Sequence, residues 1–135
     1  METPPFVGNG KALVNAMGYW PSFHDANVLE AERNTDSFSV TIHLFAMTDE
    51  VDSAGYFVLE KHHRIKILMH GVQSSSLPAT YAGDCLDSLT FVQAGEYLEV
   101  EFASHMGQDG TIVCRSVEIA GIVPCDSKGA ALAPN

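Results

Sequence analysis

The stretch SFSVTIHLFAM, Ser37 to Met47, decides the fold because its polarity alternates from one residue to the next. The even positions hold the apolar side chains Phe38, Val40, Ile42 and Leu44. The odd positions from Ser37 to His43 are polar, and a period of two is typical of a strand with one buried face. YLEVEF, Tyr97 to Phe102, repeats this pattern. These two segments are therefore predicted as half-buried strands.

Further strands are predicted on both sides of these two. Their ranges are Asn27 to Arg33, Tyr56 to Gly71, Leu86 to Val92 and Thr111 to Ile122. The second of these is either one long bent strand or two pieces broken at Lys61 to Arg64, where the polarity changes. In the last of the four ranges the apolar face changes parity after Cys114, so we expect a β-bulge near Arg115 and Ser116. The dipeptide Asp109-Gly110 favours a tight hairpin turn.

One short helix is predicted before the strands. Leu13, Val14 and Met17 fall on one helical face between Lys11 and Met17. Asn9 is the predicted N-cap, and Gly18 stands where a left-handed residue ends the helix.

The segment order predicts a mainly β (α+β) fold. No second helix is predicted that could connect parallel strands, so we expect an antiparallel sheet or sandwich of about six strands with one short N-terminal helix. Residues 1–135 are expected to form a single domain, with an ordered core at 9–124 and a flexible N-terminus and C-terminal tail.

Composition limits the classes of function. Seven basic and seventeen acidic residues give a formal net charge of -10, which disfavours nucleic-acid binding and favours a basic partner. Three widely spaced cysteines and the absence of a signal-like segment predict a cytoplasmic protein. No apolar run approaches the ~18 residues of a membrane helix, so no membrane partner is expected.

The adjacent pair His24-Asp25 is the first candidate for chemistry, because imidazole and carboxylate groups both bind metals. One pair is short of the three protein ligands of a typical catalytic site, and the other histidines show no ligand spacing. We therefore predict no catalytic residues, no metal and no cofactor. The alternative is a small metal-dependent enzyme or ligand-binding domain that uses His24 and Asp25.

A structural role for the surrounding motif is favoured by its residue types. Trp20 and Phe23 have the size to fill a gap between the helix and the sheet, and Pro21 stiffens the chain between them. Asp25 is expected to accept backbone N–H groups in a turn, and His24 to be held by a carbonyl or by Asp25.

A family resemblance adds to this interpretation. The stretch WPSFHDA, Trp20 to Ala26, followed by later matches at HGV from His70 and at VC from Val113, resembles the bacterial immunity proteins of polymorphic toxin systems. The family in question is the fiftieth of the immunity series, marked by a W-x-x-F-H-D-A motif. The chain carries Asn27 where an acidic residue is usual in that family.

The resemblance implies a cytoplasmic antitoxin that binds a cognate toxin without catalysis. A basic toxin such as a nuclease would suit the acidic chain, and the chain itself would be a monomer or a weak homo-oligomer. The candidate toxin contacts are acidic residues expected to be exposed: Glu30, Glu32, Asp49, Glu50, Asp52, Glu99 and Glu101. A self-associating module, paired through exposed strand edges, is a further alternative.

Overall fold

The structure is a computed structural model that describes residues 3–77, 81 and 83–132. Within these ranges the chain forms one helix, α1 (Gly10–Met17), and nine strands. The strands are β1 (Val7–Gly8), β2 (Asn27–Arg33), β3 (Ser37–Val51), β4 (Phe57–His70), β5 (Ser74–Ser75), β6 (Leu86–Ala94), β7 (Tyr97–Ser104), β8 (Gly110–Cys114) and β9 (Ser116–Pro124). The predicted mainly β class with one short N-terminal helix is confirmed.

The strands form two sheets. One has the order β1-β9-β4-β3-β2 and the other has the order β5-β8-β7-β6. Pairing is antiparallel throughout the described strands except between β1 and β9, which are parallel. The buried apolar side chains of both sheets belong to one core cluster, so the sheets pack face to face as a sandwich.

The alternating pattern determines which residues enter this core. Ile42 of β3 and Val100 of β7 are fully buried, and their polar neighbours Thr41 and Glu99 lie on the outer faces of the two sheets. Burying one side chain of this size contributes about 1.5–3 kcal/mol relative to exposure. A shift of either strand by one residue would place its apolar set in solvent.

The parity change after Cys114 has a different cause from the predicted β-bulge. The chain leaves the four-stranded sheet at Cys114 and enters the five-stranded sheet at Ser116. Because the two sheets face each other, the side of the chain that points into the core changes at Arg115. The prediction of one bulged strand is therefore wrong. The Arg115 N–H donates to the carbonyl of His70 at 2.9 Å, and its guanidinium lies 5.4 Å from the ring centroid of Tyr97.

The helix has both predicted caps, Asn9 and Gly18, but the N-cap makes no side-chain bond to the helix. Gly18 has a φ of 89° and its N–H donates to the carbonyl of Val14 at 2.7 Å, which is the expected left-handed cap. Asn9 has a φ of 60° and its side chain makes no capping bond. Its Nδ2 instead donates to the carbonyl of Ile119 in β9, which attaches the start of the helix to the sheet.

Two loops also differ from expectation. Asp109 and Gly110 do not form a tight turn, because residues 105–109 connect β7 to β8 and the Asp109 carboxylate accepts the N–H of Ser104. The Ser-rich stretch from Gln73 to Asp84 has a composition typical of a loop but contains β5, and its residues 78–80 and 82 lie outside the described ranges. At the other end of the chain, Cys125 pairs with Ala131 across a turn at Asp126.

Among the described residues, no helix has the length and apolar character needed to cross a membrane.

Candidate functional site

The predicted motif forms a loop with a buried and an exposed side. Trp20, Pro21 and Phe23 are buried, whereas His24 is exposed. The rings of Trp20 and Phe23 both meet the ring of Phe91 in β6 edge to face, at centroid distances of 5.9 and 6.2 Å. Phe23 and Asp25 have positive φ values of 65° and 66°. Non-glycine residues adopt this conformation at a cost in energy, so packing of the aromatic rings holds the loop in place.

Four polar side chains meet on the exposed side, and we call them the open cluster: His24, Asp25, Asp87 and His105. His105 Nδ1 lies 3.1 Å from Asp87 Oδ1, and His105 Nε2 lies 3.1 Å from Asp25 Oδ1. His24 Nδ1 lies 3.1 Å from the carbonyl oxygen of Asp87, and its Nε2 lies 3.5 Å from Asp25 Oδ2. Each imidazole therefore has an acceptor oxygen near both of its ring nitrogens.

Cys85 borders the open cluster. It can be grouped with Asp25 and His105 as a set of potential metal ligands. Burial raises the pKa of the Cys85 thiol, and the carboxylates of Asp25, Asp84 and Asp87 raise it further. The thiol is therefore protonated near neutral pH, which makes it a poor nucleophile there.

A second polar group lies beside the open cluster but is buried, and we call it the closed cluster: Tyr81, Asp84 and Ser104. The Asp84 carboxylate accepts the hydroxyls of Tyr81 and Ser104 and the N–H of Cys85. Burial alone would raise the pKa of Asp84, but these donors hold it below its ordinary value. Burial and the bond to Asp84 raise the pKa of Tyr81 to about 12.

A further histidine pair joins β3 and β4 just before the two strands extend beyond the core. His43 Nε2 and His62 Nδ1 are 2.9 Å apart, and the ring of Phe45 lies beside both. Burial lowers the pKa of His43, and the nearby His62 lowers it further, against a smaller opposing effect of Asp126. The lowered pKa of His43 favours the neutral form of that ring in the hydrogen bond.

Beyond this pair, β3 and β4 extend past the core as a hairpin arm, residues 47–61. Thr48 and Val58 are partly buried, and the other residues of the arm are exposed. Met47 pairs with Leu59 and Val51 pairs with Phe57 across the arm, so these four apolar side chains share one face. Tyr56, at the turn, is 72% exposed and Phe57 is 55% exposed.

The arm is held by its own hydrogen bonds. The Thr48 hydroxyl donates to the carbonyl of Val58 at 2.7 Å, and Asp52 Oδ1 accepts the N–H groups of Ala54 and Tyr56. Lys61 Nζ donates to the carbonyl of Met17 at the end of α1. These bonds give a defined shape to a segment that has little core of its own.

A groove connects the arm to the motif loop. Its walls include Tyr19, Phe23 and His24 from the motif side and Phe45 and Met47 from β3. Tyr19 and Met47 are about half exposed, at 48% and 53%. The apolar face of the arm therefore continues into a concave surface beside the open cluster.

The predicted acidic contact residues fall on separate parts of the molecule. Glu30 and Glu32 lie on the outer face of the five-stranded sheet, opposite Thr41 and Ser39 in the register. Glu99 and Glu101 lie on the outer face of the four-stranded sheet, so these two pairs point in opposite directions. Asp49, Glu50 and Asp52 lie together on the hairpin arm. The structure therefore groups only the last three beside an exposed apolar surface.

Sequence reasoning missed residues that only the fold brings together. Asp87 and His105 are 63 and 81 positions from His24, and no local spacing connects them to the motif. The expected backbone bonds to Asp25 are replaced by contacts with the two histidine rings. The position of the arm is visible in the sequence, because the aromatic residues Tyr56 and Phe57 directly follow the turn residues Ser53 to Gly55.

Comparison with known proteins finds no family model, no curated protein and no solved structure that matches this chain. The resemblance to immunity proteins therefore depends on the motif residues quoted above.

Proposed function

We propose that this chain is an immunity protein that binds one cognate toxin, a basic protein such as a nuclease, in the bacterial cytoplasm. It would neutralise the toxin by covering part of its surface, without catalysis. The observation that carries the proposal is the hairpin arm, which presents aromatic and aliphatic side chains in solvent between acidic ones.

The arm has the composition of a protein-binding surface. Large side chains such as Tyr56 and Phe57 provide most of the binding energy in typical interfaces, and a polar rim excludes water around them. Exposed apolar side chains that are grouped on one face mark an interaction site more often than isolated ones do. Because the arm extends beyond the core, it can enter a cleft that a flat sheet face could not.

The charge of the arm favours a basic partner. Residues 47–61 contain four acidic side chains, Asp49, Glu50, Asp52 and Glu60, and one basic side chain, Lys61, which gives a net charge of -3. The whole chain carries -10. Opposite charge on the partner would accelerate association and would disfavour acidic competitors.

The motif has an architectural part in this proposal. Trp20 and Phe23 anchor the loop on β6, and the loop supplies one wall of the groove that leads to the arm. The motif thereby shapes a surface beside the hairpin arm.

The main experiment is co-expression with the product of the neighbouring toxin gene, scored by growth rescue and by isolation of a complex. Wild-type chain should restore growth, and the dissociation constant should rise with salt concentration. A chain that neither rescues growth nor forms a complex with that toxin would contradict the proposal.

Two double variants with the same change of net charge test whether the arm is the toxin-binding surface. Asp49→Lys with Glu50→Lys on the arm should weaken toxin binding at least tenfold. Glu99→Lys with Glu101→Lys changes the net charge by the same amount on the opposite sheet and should have a much smaller effect. Equal effects of the two double variants would show that overall charge, and not the arm, governs binding.

An apolar pair tests the same surface without a change of charge. Phe57→Ser removes an exposed aromatic ring from the arm, whereas Val92→Ser alters an exposed apolar residue on β6, far along the chain from the arm. Loss of rescue with Phe57→Ser alone would support docking through the arm. Loss with Val92→Ser alone would place the docking surface on the other sheet.

The proposed working form is a monomer or a weak homo-oligomer. The edge strand β2 has an irregular register between Val28 and Glu30 and carries the charged residues Glu30, Glu32 and Arg33. Bulges and charges on an edge oppose pairing with a second copy. Light scattering at micromolar concentration should give the mass of one chain, and a stable dimer would contradict this part.

A further inference from the structure

The open cluster brings together side chains from three parts of the chain. His24 comes from the motif loop, Asp87 from the start of β6 and His105 from the turn directly after β7. Each offers one ligand atom, and these atoms lie within 4.8 Å of one another. Side chains at these separations need only small rotations to meet at bond distances of about 2.0–2.2 Å around one ion.

Hydrogen bonding leaves one nitrogen of each imidazole available. His24 Nδ1 faces the carbonyl oxygen of Asp87, which can only accept, so this nitrogen carries the proton in the neutral ring. His105 Nε2 faces Asp25 Oδ1 at 3.1 Å, which is the arrangement of a carboxylate that orients a metal-binding histidine. The nitrogens without a proton are then His24 Nε2, which lies 3.5 Å from Asp25 Oδ2, and His105 Nδ1, which lies 3.1 Å from Asp87 Oδ1.

We propose that His24, Asp87 and His105 form a binding site for a divalent transition metal ion such as zinc, with Asp25 as the carboxylate that orients His105. A set of two imidazole nitrogens and one carboxylate oxygen favours zinc, because calcium and magnesium prefer oxygen ligands. The exposure of all three side chains leaves further coordination positions for water or for a group from a partner.

The charges of the cluster also suit a cation. Each imidazole faces two acceptors but carries one N–H when neutral, so the cluster has more acceptors than neutral rings can satisfy. A bound divalent ion neutralises the charge of the two carboxylates and is coordinated by the unprotonated nitrogen of each imidazole. The alternative set of Asp25, Cys85 and His105 contains one imidazole instead of two.

The experiment is calorimetric titration of the purified, untagged chain with zinc chloride at neutral pH, with cobalt absorption as a second readout. The wild-type chain should bind one ion, and bound cobalt should give visible absorption bands. His105→Gln and His24→Gln should each weaken zinc binding at least tenfold. Asp25→Asn should weaken it about tenfold without abolishing it, since outer-shell partners commonly contribute 10–100-fold.

Two control variants remove histidines elsewhere. His70→Gln alters an exposed histidine paired with Glu118, and His62→Gln disrupts the partly buried imidazole pair of His43 and His62. Both should bind zinc as the wild-type chain does, and circular dichroism should show that all variants are folded. The proposal is overturned if the wild-type chain binds no zinc, if His24→Gln and His105→Gln both bind it normally, or if only His62→Gln loses it.

Discussion

The open and closed clusters are neighbours along the chain but differ in almost every physical property. Asp84 and Ser104 of the closed cluster directly precede Cys85 and His105, which border or belong to the open cluster. The closed cluster is buried and its carboxylate has three donors, whereas the carboxylates of the open cluster are partly exposed and face imidazole rings.

This difference separates polar groups that stabilise the fold from polar groups that are free to bind. A buried carboxylate must satisfy its oxygens internally, and removal of its partners is costly. An exposed carboxylate can exchange a ring N–H for water or a metal ion at little cost. Within the described ranges, no buried side-chain nitrogen or oxygen lacks a hydrogen-bond partner.

The largest expected effect comes from the buried support beneath the open cluster. Trp20→Ala should lower the free energy of unfolding by about 3–5 kcal/mol, because Trp20 is 5% exposed and packs on Phe23 and Phe91. Chemical denaturation measures this change. Tyr19→Ala, at the exposed neighbouring position, is the control and should cost less than about 1 kcal/mol. An unchanged denaturation midpoint for Trp20→Ala would contradict the packing argument.

A smaller but substantial loss is expected at the closed cluster. Asp84→Asn should lower the free energy of unfolding by about 2 kcal/mol, because a charged acceptor of three hydrogen bonds is replaced by an amide. Asp87→Asn, the matched change at the open cluster, should cost less than about 0.5 kcal/mol. Similar losses for the two variants would remove the distinction between the clusters.

The pH dependence of Asp84 has a definite sign. Its pKa is lowered in the folded state, so its contribution is fully present above the ordinary carboxylate value of about 3.9 and is lost as pH falls further. The difference in stability between the wild-type chain and Asp84→Asn should therefore shrink in acid. A difference that is constant between neutral pH and pH 3 would contradict this assignment.

His43 is a second buried group whose lowered pKa makes stability fall in acid, although its favoured form is the neutral one. Burial and then His62 lower its pKa, so the unfolded chain binds a proton more readily than the folded one. Stability should fall as pH drops below the ordinary histidine value of about 6.5 towards the lower pKa of the folded state. Urea denaturation over this window should show a smaller slope with pH for His43→Gln than for the wild-type chain, and equal slopes would refute the effect.

The smallest effect is expected at His24. Its side chain is 59% exposed, and His24→Ala should change the free energy of unfolding by less than about 0.5 kcal/mol. It should also leave toxin binding largely intact while it weakens zinc binding. A large loss of stability would mean that the open cluster supports the fold, as the closed cluster does.

Local patterns were sufficient for most strands. Ser37 to Met47 lies within β3, Asn27 to Arg33 matches β2, and Tyr97 to Phe102 lies within β7, because alternation records which side of a strand is buried. The same pattern could not show that Cys114 and Val117 belong to different sheets. A parity change has the same appearance in sequence whether a strand bulges or moves to the other sheet.

The candidate sites were less accessible to such reasoning. The burial of Trp20 and Phe23 follows from their size and apolar character, and this part of the motif was predicted correctly. The partners of His24 were not, since Asp87 and His105 reach it through the pairing of β6 with β7. Side-chain contacts between distant segments depend on register, which a single sequence does not reveal.

The direct passage from β8 to β9 at Arg115 links the two sheets without an intervening loop. Gly71 also lies so close that a Cβ there would approach the Arg115 side chain to 2.9 Å. A fluctuation that separates the layers must therefore break backbone pairing on both sides of this junction at once. Amide protons of β4 and β7 should consequently exchange with deuterium at one common slow rate, as parts of one cooperative unit.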